Sequence, residues 1–194
     1  MKLAPLVILS GPSGSGKSTL IRRVLLPPAL PYRLSVSATT RDQRKNEQPG
    51  VDYYYWDRAK FEAELAAGAF LEWAEVYGNY YGTLRNEVEP YREQGTGVIL
   101  DVDSQGAANV KAKCPDVVRI LLRASSMAEY ERRLRLRHTE DEPTIQRRLA
   151  GAQRELDRAA DYEYTIINDD LEQAVADFRT ILEQLLTETD NHAG

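Results

Sequence analysis

Short apolar runs alternate along this chain with longer stretches whose apolar residues recur every three or four positions. Residues 6–9 (Leu6-Val7-Ile8-Leu9), Val98-Ile99-Leu100, residues 117–122 and residues 164–167 read as buried strands. Helical patterns lie between them. One is Thr19-Leu20-Ile21-Arg22-Arg23-Val24-Leu25; another opens at Ser126 and reaches about Arg137, with Glu129 at capping-box spacing. A third follows Asp169 and Asp170 and carries Leu171, Ala174, Phe178, Ile181, Leu182 and Leu185 on one face. The polar residues 187–194 predict a frayed end. This alternation predicts an α/β fold, a parallel sheet flanked by helices on both faces.

Two stretches break the rhythm. Residues 35–94 are rich in aromatics and turn formers, as in Tyr53-Tyr54-Tyr55-Trp56 and Tyr77-Gly78-Asn79-Tyr80-Tyr81-Gly82. They predict an inserted α+β lobe with short helices near 61–67 and 84–93, set into a core made of residues 1–34 and 95–194. Residues 135–142 are almost wholly polar between two helices, which predicts a mobile flap.

Composition narrows the field. The chain has 194 residues, 42% of them apolar, enough for one core with a small lobe. A net charge of −5 argues against coating nucleic acid, and no apolar run approaches a membrane span. Positive charge is local, at Arg41-Arg44-Lys45 and between Arg132 and Arg148. A single cysteine, Cys114, excludes an intrachain disulfide and reads as a small buried hydrophobe before Pro115. No basic-then-apolar leader precedes residue 11, so a soluble, cytoplasmic chain is expected, with no nucleic-acid or membrane partner.

Chemistry enters at Gly11-Pro12-Ser13-Gly14-Ser15-Gly16-Lys17-Ser18-Thr19, between the first strand and first helix. That context is the phosphate-binding P-loop: glycines let backbone N–H groups wrap a phosphate, and the helix end adds partial positive charge. Lys17 supplies an ammonium for the terminal phosphates, and the Ser18 hydroxyl is a ligand for Mg²⁺. The chain is therefore expected to bind a nucleoside triphosphate.

A second substrate has candidate residues of its own. Arg41 and Arg44 stand three apart amid hydroxyls and suit a phosphate, with Tyr53 and Tyr81 as further donors. A solvated basic loop accounts for the same two arginines equally well. Glu72 lies among large apolar residues in Phe70-Leu71-Glu72-Trp73-Ala74. A carboxylate accepts both N1–H and N2–H₂ of guanine, whereas adenine would leave it unpaired. A glutamate on a strand surface is the plainer reading of Glu72 alone.

Taken in order, these pieces resemble the guanylate kinase family over residues 6–186. The match adds Ser35-Val36-Ser37-Ala38-Thr39-Thr40-Arg41, Gly50-Val51-Asp52-Tyr53, Ile99-Leu100-Asp101-Val102-Asp103-Ser104-Gln105-Gly106 and Ile167-Asn168-Asp169-Asp170-Leu171. The resemblance implies the reaction ATP + GMP → ADP + GDP, with dGMP as a further acceptor, on a P-loop core with a GMP-binding lobe and a lid at about 136–148. By resemblance, Arg41, Arg44, Tyr53 and Tyr81 hold the GMP phosphate, while Ser37, Glu72, Thr83 and Asp103 read guanine. Asp101 stands near Mg²⁺ with Ser18, directly or through water. Arg133, Arg137 and Arg148 lie in or beside the lid over the ATP phosphates, and Asn168 falls near adenine. Lys17, Arg41, Arg137 and Arg148 would carry the catalysis. Gln43, Asn46 and His138 stand where the family often has proline, glycine and glycine. Two other readings stay open: a related kinase with a ribose bisphosphate acceptor, and a non-catalytic interaction module. Monomer and homodimer are both compatible with the sequence.

Overall fold

A computed structural model describes residues 3–27, 29–76, 78–136 and 141–191. The chain runs β1 (Leu6–Ser10), α1 (Lys17–Val24) and β2 (Tyr32–Leu34), then β3 (Ser37–Thr39), β4 (Tyr53–Tyr55), α2 (Arg58–Ala66), β5 (Phe70–Val76) and β6 (Asn79–Leu84). It continues with α3 (Glu89–Glu93), β7 (Gly97–Asp101), α4 (Ser104–Lys113), β8 (Val118–Arg123), α5 (Met127–Leu136), α6 (Glu142–Leu156), β9 (Tyr164–Ile167) and α7 (Leu171–Asn191).

Two sheets result. The first is wholly parallel, in the order β2-β7-β1-β8-β9. Its central strand is apolar at successive positions because both faces are covered. Val7 and Leu9 face a cluster with Leu20, Val24, Phe178 and Leu182, whereas Leu6 and Ile8 face Val98, Ala107, Val110 and Leu71. The four apolar runs predicted as strands are β1, β7, β8 and β9. No helix among the described residues is long and apolar enough to cross a membrane.

The second sheet, order β4-β3-β6-β5, lies within the stretch where the alternation fails. Here β3 pairs parallel with β4 and antiparallel with β6, which pairs antiparallel with β5. Its core is aromatic: Phe61 stacks on Phe70 with ring centroids 4.3 Å apart, and Trp56 and Tyr80 close round them. A Cβ at Gly82 would press into both phenylalanine rings, so that strand position admits no side chain. Leu71 and the Lys113 ammonium, which donates to Leu71 O at 2.7 Å, dock this lobe on the core.

Three local expectations change, and half of the stretch read as a flap, residues 137–140, lies outside the described residues. The helix expected near 84–93 is shorter: Leu84 ends β6, a 3₁₀ turn spans Arg85–Glu87, and only Glu89–Glu93 is α-helical. Of the end expected to fray, residues 187–191 remain helical, with Thr187 and Thr189 donating back to Glu183 O and Leu185 O, while residues 192–194 lie outside the described residues. Ser126 does cap α5 through Glu129 N–H, but the Glu129 carboxylate turns to Arg132 and Arg133 rather than completing a box. Of the stretch read as a flap, Arg135 pairs with Glu131 and Glu142, and Glu142 already belongs to α6. Arg137 and His138 lie outside the described residues.

Candidate functional site

The site lies at the C-terminal ends of β1 and β7, beside which the chain crosses over to β8, where open parallel sheets place ligands. After Ser10 the backbone turns through Gly11, Gly14 and Gly16, with φ of +155°, +93° and +96°. Ser15 N–H donates to Pro12 O at 3.0 Å, closing the turn. Gly16 precedes α1 without any side-chain cap, so the first N–H groups of that helix have no side-chain acceptor. Lys17 crosses the loop to donate to Gly11 O at 2.6 Å, and its ammonium lies 3.9 Å from Asp101 Oδ1. The Ser15 hydroxyl is fully buried and has no hydrogen-bond partner. Ser18 and Thr19 are exposed on α1.

A cavity of about 220 Å³ opens next to the loop. Its wall brings Glu72, Tyr81 and Ser37 of the lobe together with Lys17, Asp101 and Asp103 of the core. Glu72 is 4% exposed, and its Oε1 accepts from the Thr83 hydroxyl at 2.7 Å and from Thr83 N–H at 3.2 Å. Asp103 caps α4, accepting from Gly106 N–H at 2.8 Å. Burial pushes the Glu72 carboxyl up; the Thr83 hydroxyl opposes that shift, and Asp103 adds to it. Burial also raises Asp101, against the pull of Lys17. Both carboxylates are thus poised to gain from a ligand that brings hydrogen-bond donors or positive charge.

A second cavity of about 430 Å³ adjoins the first, sharing Ser37, Tyr53, Tyr81 and Asp101. It holds Arg41, Arg44 and Ser18 as well. Tyr53 and Tyr81 meet edge to face at 6.1 Å, and the Arg41 guanidinium lies over the Tyr53 ring at 5.6 Å. Burial lifts the Tyr53 phenol to about 12, so it is a donor at neutral pH.

Glu47 is the residue that sequence reasoning misses. Its carboxylate takes Arg41 Nη2 on both oxygens at 2.8 and 3.0 Å, Arg44 N–H at 2.8 Å and the Tyr55 hydroxyl at 2.8 Å. Burial alone would raise it, but these donors outweigh burial and hold it at about 2. The only signal was one acidic residue three places after Arg44. The Arg44 side chain itself remains 72% exposed.

The triphosphate end is braced by side chains. Asn168 is buried and donates from Nδ2 to Ser15 O at 2.7 Å, so its amide supports the loop. Arg133 is held by Glu129 at 2.6 Å and by Asn168 O at 2.5 Å. From α6, Arg148 reaches Ser13 Oγ at 2.6 Å, directly over the loop. Arg137, the fourth predicted catalytic group, lies outside the described residues. Among those described, no group of three or more His, Cys, Asp or Glu forms a metal cluster. Ser18 and Asp101, lining the same cavity, offer the one or two hard oxygen donors that a hydrated divalent ion uses beside phosphates.

Residues 4–185 match the family model described as guanylate kinase. A guanylate kinase of Rubrobacter xylanophilus is 46% identical over 191 residues, covering 98% of this chain and 99% of that protein. One of Myxococcus xanthus is 44% identical over 180 residues, 91% of this chain and 85% of its own. The crystal structure of guanylate kinase from Anaplasma phagocytophilum superposes with a TM-score of 0.78 at 33% identity, covering 94% of this chain and 86% of that one.

Proposed function

The chain belongs to the guanylate kinase family and is a nucleoside monophosphate kinase, an ATP:GMP phosphotransferase; we propose that its two joined cavities hold GMP and that the glycine loop holds ATP. The observation that carries the assignment is the shared wall, in which Glu72 and the Lys17 ammonium line one cavity of about 220 Å³. Guanine sits against Glu72 and Asp103, which take its N1–H and N2–H₂, while Ser37 lies near O6; Thr83, whose hydroxyl is given to Glu72 Oε1, serves the base by holding that carboxylate. Arg41, Arg44, Tyr53 and Tyr81 hold the GMP phosphate in the second cavity.

Phosphoryl transfer needs in-line placement and neutralised charge more than covalent help. GMP already presents an anionic phosphate oxygen, so no general base is required. The backbone of Gly11, Pro12, Ser13, Gly14, Ser15 and Gly16 wraps the ATP phosphates, with Ser18 and Thr19 following on the helix. Lys17 leaves Gly11 O for the terminal phosphates, and Arg148 and Arg137 cover the transferring group from the lid. Kinases of this class use ATP with a divalent metal; we assign it as Mg²⁺, which Ser18 and Asp101 would hold and which would neutralise phosphate charge when bound. Arg133 and Asn168 brace the ATP side. Residues 35–94 act as the GMP-binding lobe, closing on the core formed by 1–34 and 95–194. No assigned side chain reads the ribose, so dGMP serves as well. The lone Cys114 suits a cytoplasmic enzyme.

An ADP-release assay offering GMP, dGMP, AMP, CMP, UMP and ribose bisphosphate tests this reading. Turnover confined to GMP and dGMP supports it. Equal turnover of AMP removes the role given to Glu72, and turnover of ribose bisphosphate alone replaces the acceptor.

A further inference from the structure

A buried carboxylate outside the nucleotide cavities joins the lobe to the core. Glu87 is 8% exposed and sits where the chain returns from the lobe. Its Oε1 accepts from the Tyr54 hydroxyl of β4 at 2.8 Å. Its Oε2 accepts from Arg33 Nη2 of β2 at 2.7 Å and, more weakly, from Val36 N–H at 3.4 Å. Arg33 Nη1 also donates to Glu87 O at 2.7 Å, and its guanidinium stacks 3.8 Å from the Tyr91 ring centroid. Arg33 belongs to the parallel sheet and Tyr54 to the lobe sheet. Val36 lies on the chain's way into the lobe and Glu87 on its way out. One carboxylate therefore bonds both sheets at both crossings.

The register of β4 gives this contact a consequence for the site. Side chains alternate along a strand, so Tyr53 and Tyr55 face the phosphate cavity and Glu47 while Tyr54 faces away, toward Glu87. The bond to Tyr54 thus indexes the strand that carries Tyr53. Rotation of the lobe away from the core about its two crossings pulls on the Tyr54 bond and the Arg33 pair together. Charge-assisted bonds of this kind are about twice as strong as neutral ones.

We propose that Glu87 is a positioning residue: through Tyr54 and Arg33 it holds the lobe in the orientation that assembles the acceptor cavity. Without it the lobe samples orientations in which Tyr53, Arg41 and Glu72 no longer share a cavity with Lys17 and Asp101. Apparent GMP affinity then falls by the fraction of time that cavity is assembled. The inference rests on the reading of the lobe as the GMP-binding part.

Tyr54→Phe removes one hydroxyl and keeps the ring against Trp56. Its KM for GMP should rise about tenfold, the loss of one hydrogen bond to a charged acceptor, with the KM for ATP little changed. Glu87→Ala should raise the KM for GMP at least as much, and adding Tyr54→Phe to it should change nothing further. A second readout needs no nucleotide. Spin labels at Glu62→Cys on α2 and Ala176→Cys on α7, with Cys114→Ser, report the distance between lobe and core. Tyr54→Phe should broaden that distribution in the free protein. A chain that fails to phosphorylate GMP yet shows the broadening overturns the functional reading and keeps the clasp. An unchanged or lowered KM for GMP in Tyr54→Phe, with an unchanged distance distribution, overturns the clasp. So does an equal rise in both KM values. If Glu87→Ala does not fold, Tyr54→Phe decides the matter by itself.

Discussion

Glu72 Oε1 accepts both the hydroxyl and the backbone N–H of Thr83 across the β5–β6 pair, at 2.7 and 3.2 Å. The other oxygen, Oε2, is the one beside Gly106, where a Cβ would sit 3.3 Å away. One oxygen anchors the carboxylate to its own sheet, and the other, beside Gly106 in the cavity wall, is the one we propose meets guanine.

Glu72→Gln tests that division of labour. The amide oxygen can still accept from Thr83, while an NH₂ group replaces the acceptor aimed at guanine. We expect the KM for GMP to rise about 100-fold, since one bond to a charged acceptor is lost and an NH₂ is set against a guanine donor, with ATP little affected. Steady-state kinetics with each substrate varied in turn will show it, and equal losses for both substrates would remove Glu72 from base recognition.

The same substitution should stabilise the fold. Burial raises the Glu72 pKa above its unfolded value, so the folded chain holds that proton more tightly. For a carboxyl the sign is then clear: its contribution is most favourable below the unfolded pKa and worsens as pH climbs through the folded one. At neutral pH the ionised, buried group is a cost that the amide does not carry. Calorimetry should find Glu72→Gln melting above the parent at about pH 7, the gap closing toward about pH 4. A lower midpoint at pH 7 refutes the sign. In the parent, GMP binding should weaken on acidification earlier than an ordinary carboxylate would dictate.

Glu47 holds Arg41 in a two-oxygen clasp between half-buried partners. Glu47→Gln removes that charge and one of the two matched contacts. The KM for GMP should rise about tenfold through a misplaced guanidinium, and Arg41→Lys should do the same because an ammonium lacks the planar fork. In the double variant the effects should not multiply, since Glu47 acts through Arg41. Calorimetric titration of GMP onto the four proteins checks this, and full multiplication separates the two residues.

Gly16→Ala carries two penalties of different origin. Its φ of +96° strains any residue with a Cβ, and that Cβ would strike the Asn168 amide. ATP affinity and the thermal midpoint should both fall. Adding Asn168→Ala removes the collision but not the strain, so it should restore the variant only in part. Complete restoration would show that strain costs nothing here.

What was legible in the sequence was local. A strand, a glycine turn and a helix from Leu6 to Val24 are specified by neighbours within a few residues, and so is the Asp103 cap three places before Gly106. Four of the five core strands were readable as short apolar runs, while β2 (Tyr32–Leu34), only three residues long and carrying Arg33, was not; β1 and β7 are the strands that burial makes continuously apolar. Motif order then identified the family, because spacing along the chain survives without coordinates.

The tertiary structure decided what depends on remote partners. Residues 187–191 are polar enough to suggest an open end, yet they stay helical as a continuation of a helix whose Leu182 and Leu185 are locked into the core. Residues 84–93 look helical, but Leu84 is held in β6 by pairing with Phe70. Glu47 and Glu87 are ordinary surface-type residues in the sequence. They matter because folding sets Arg41, Tyr55, Arg33 and Tyr54 around them, and a carboxylate's role is fixed by the donors it meets.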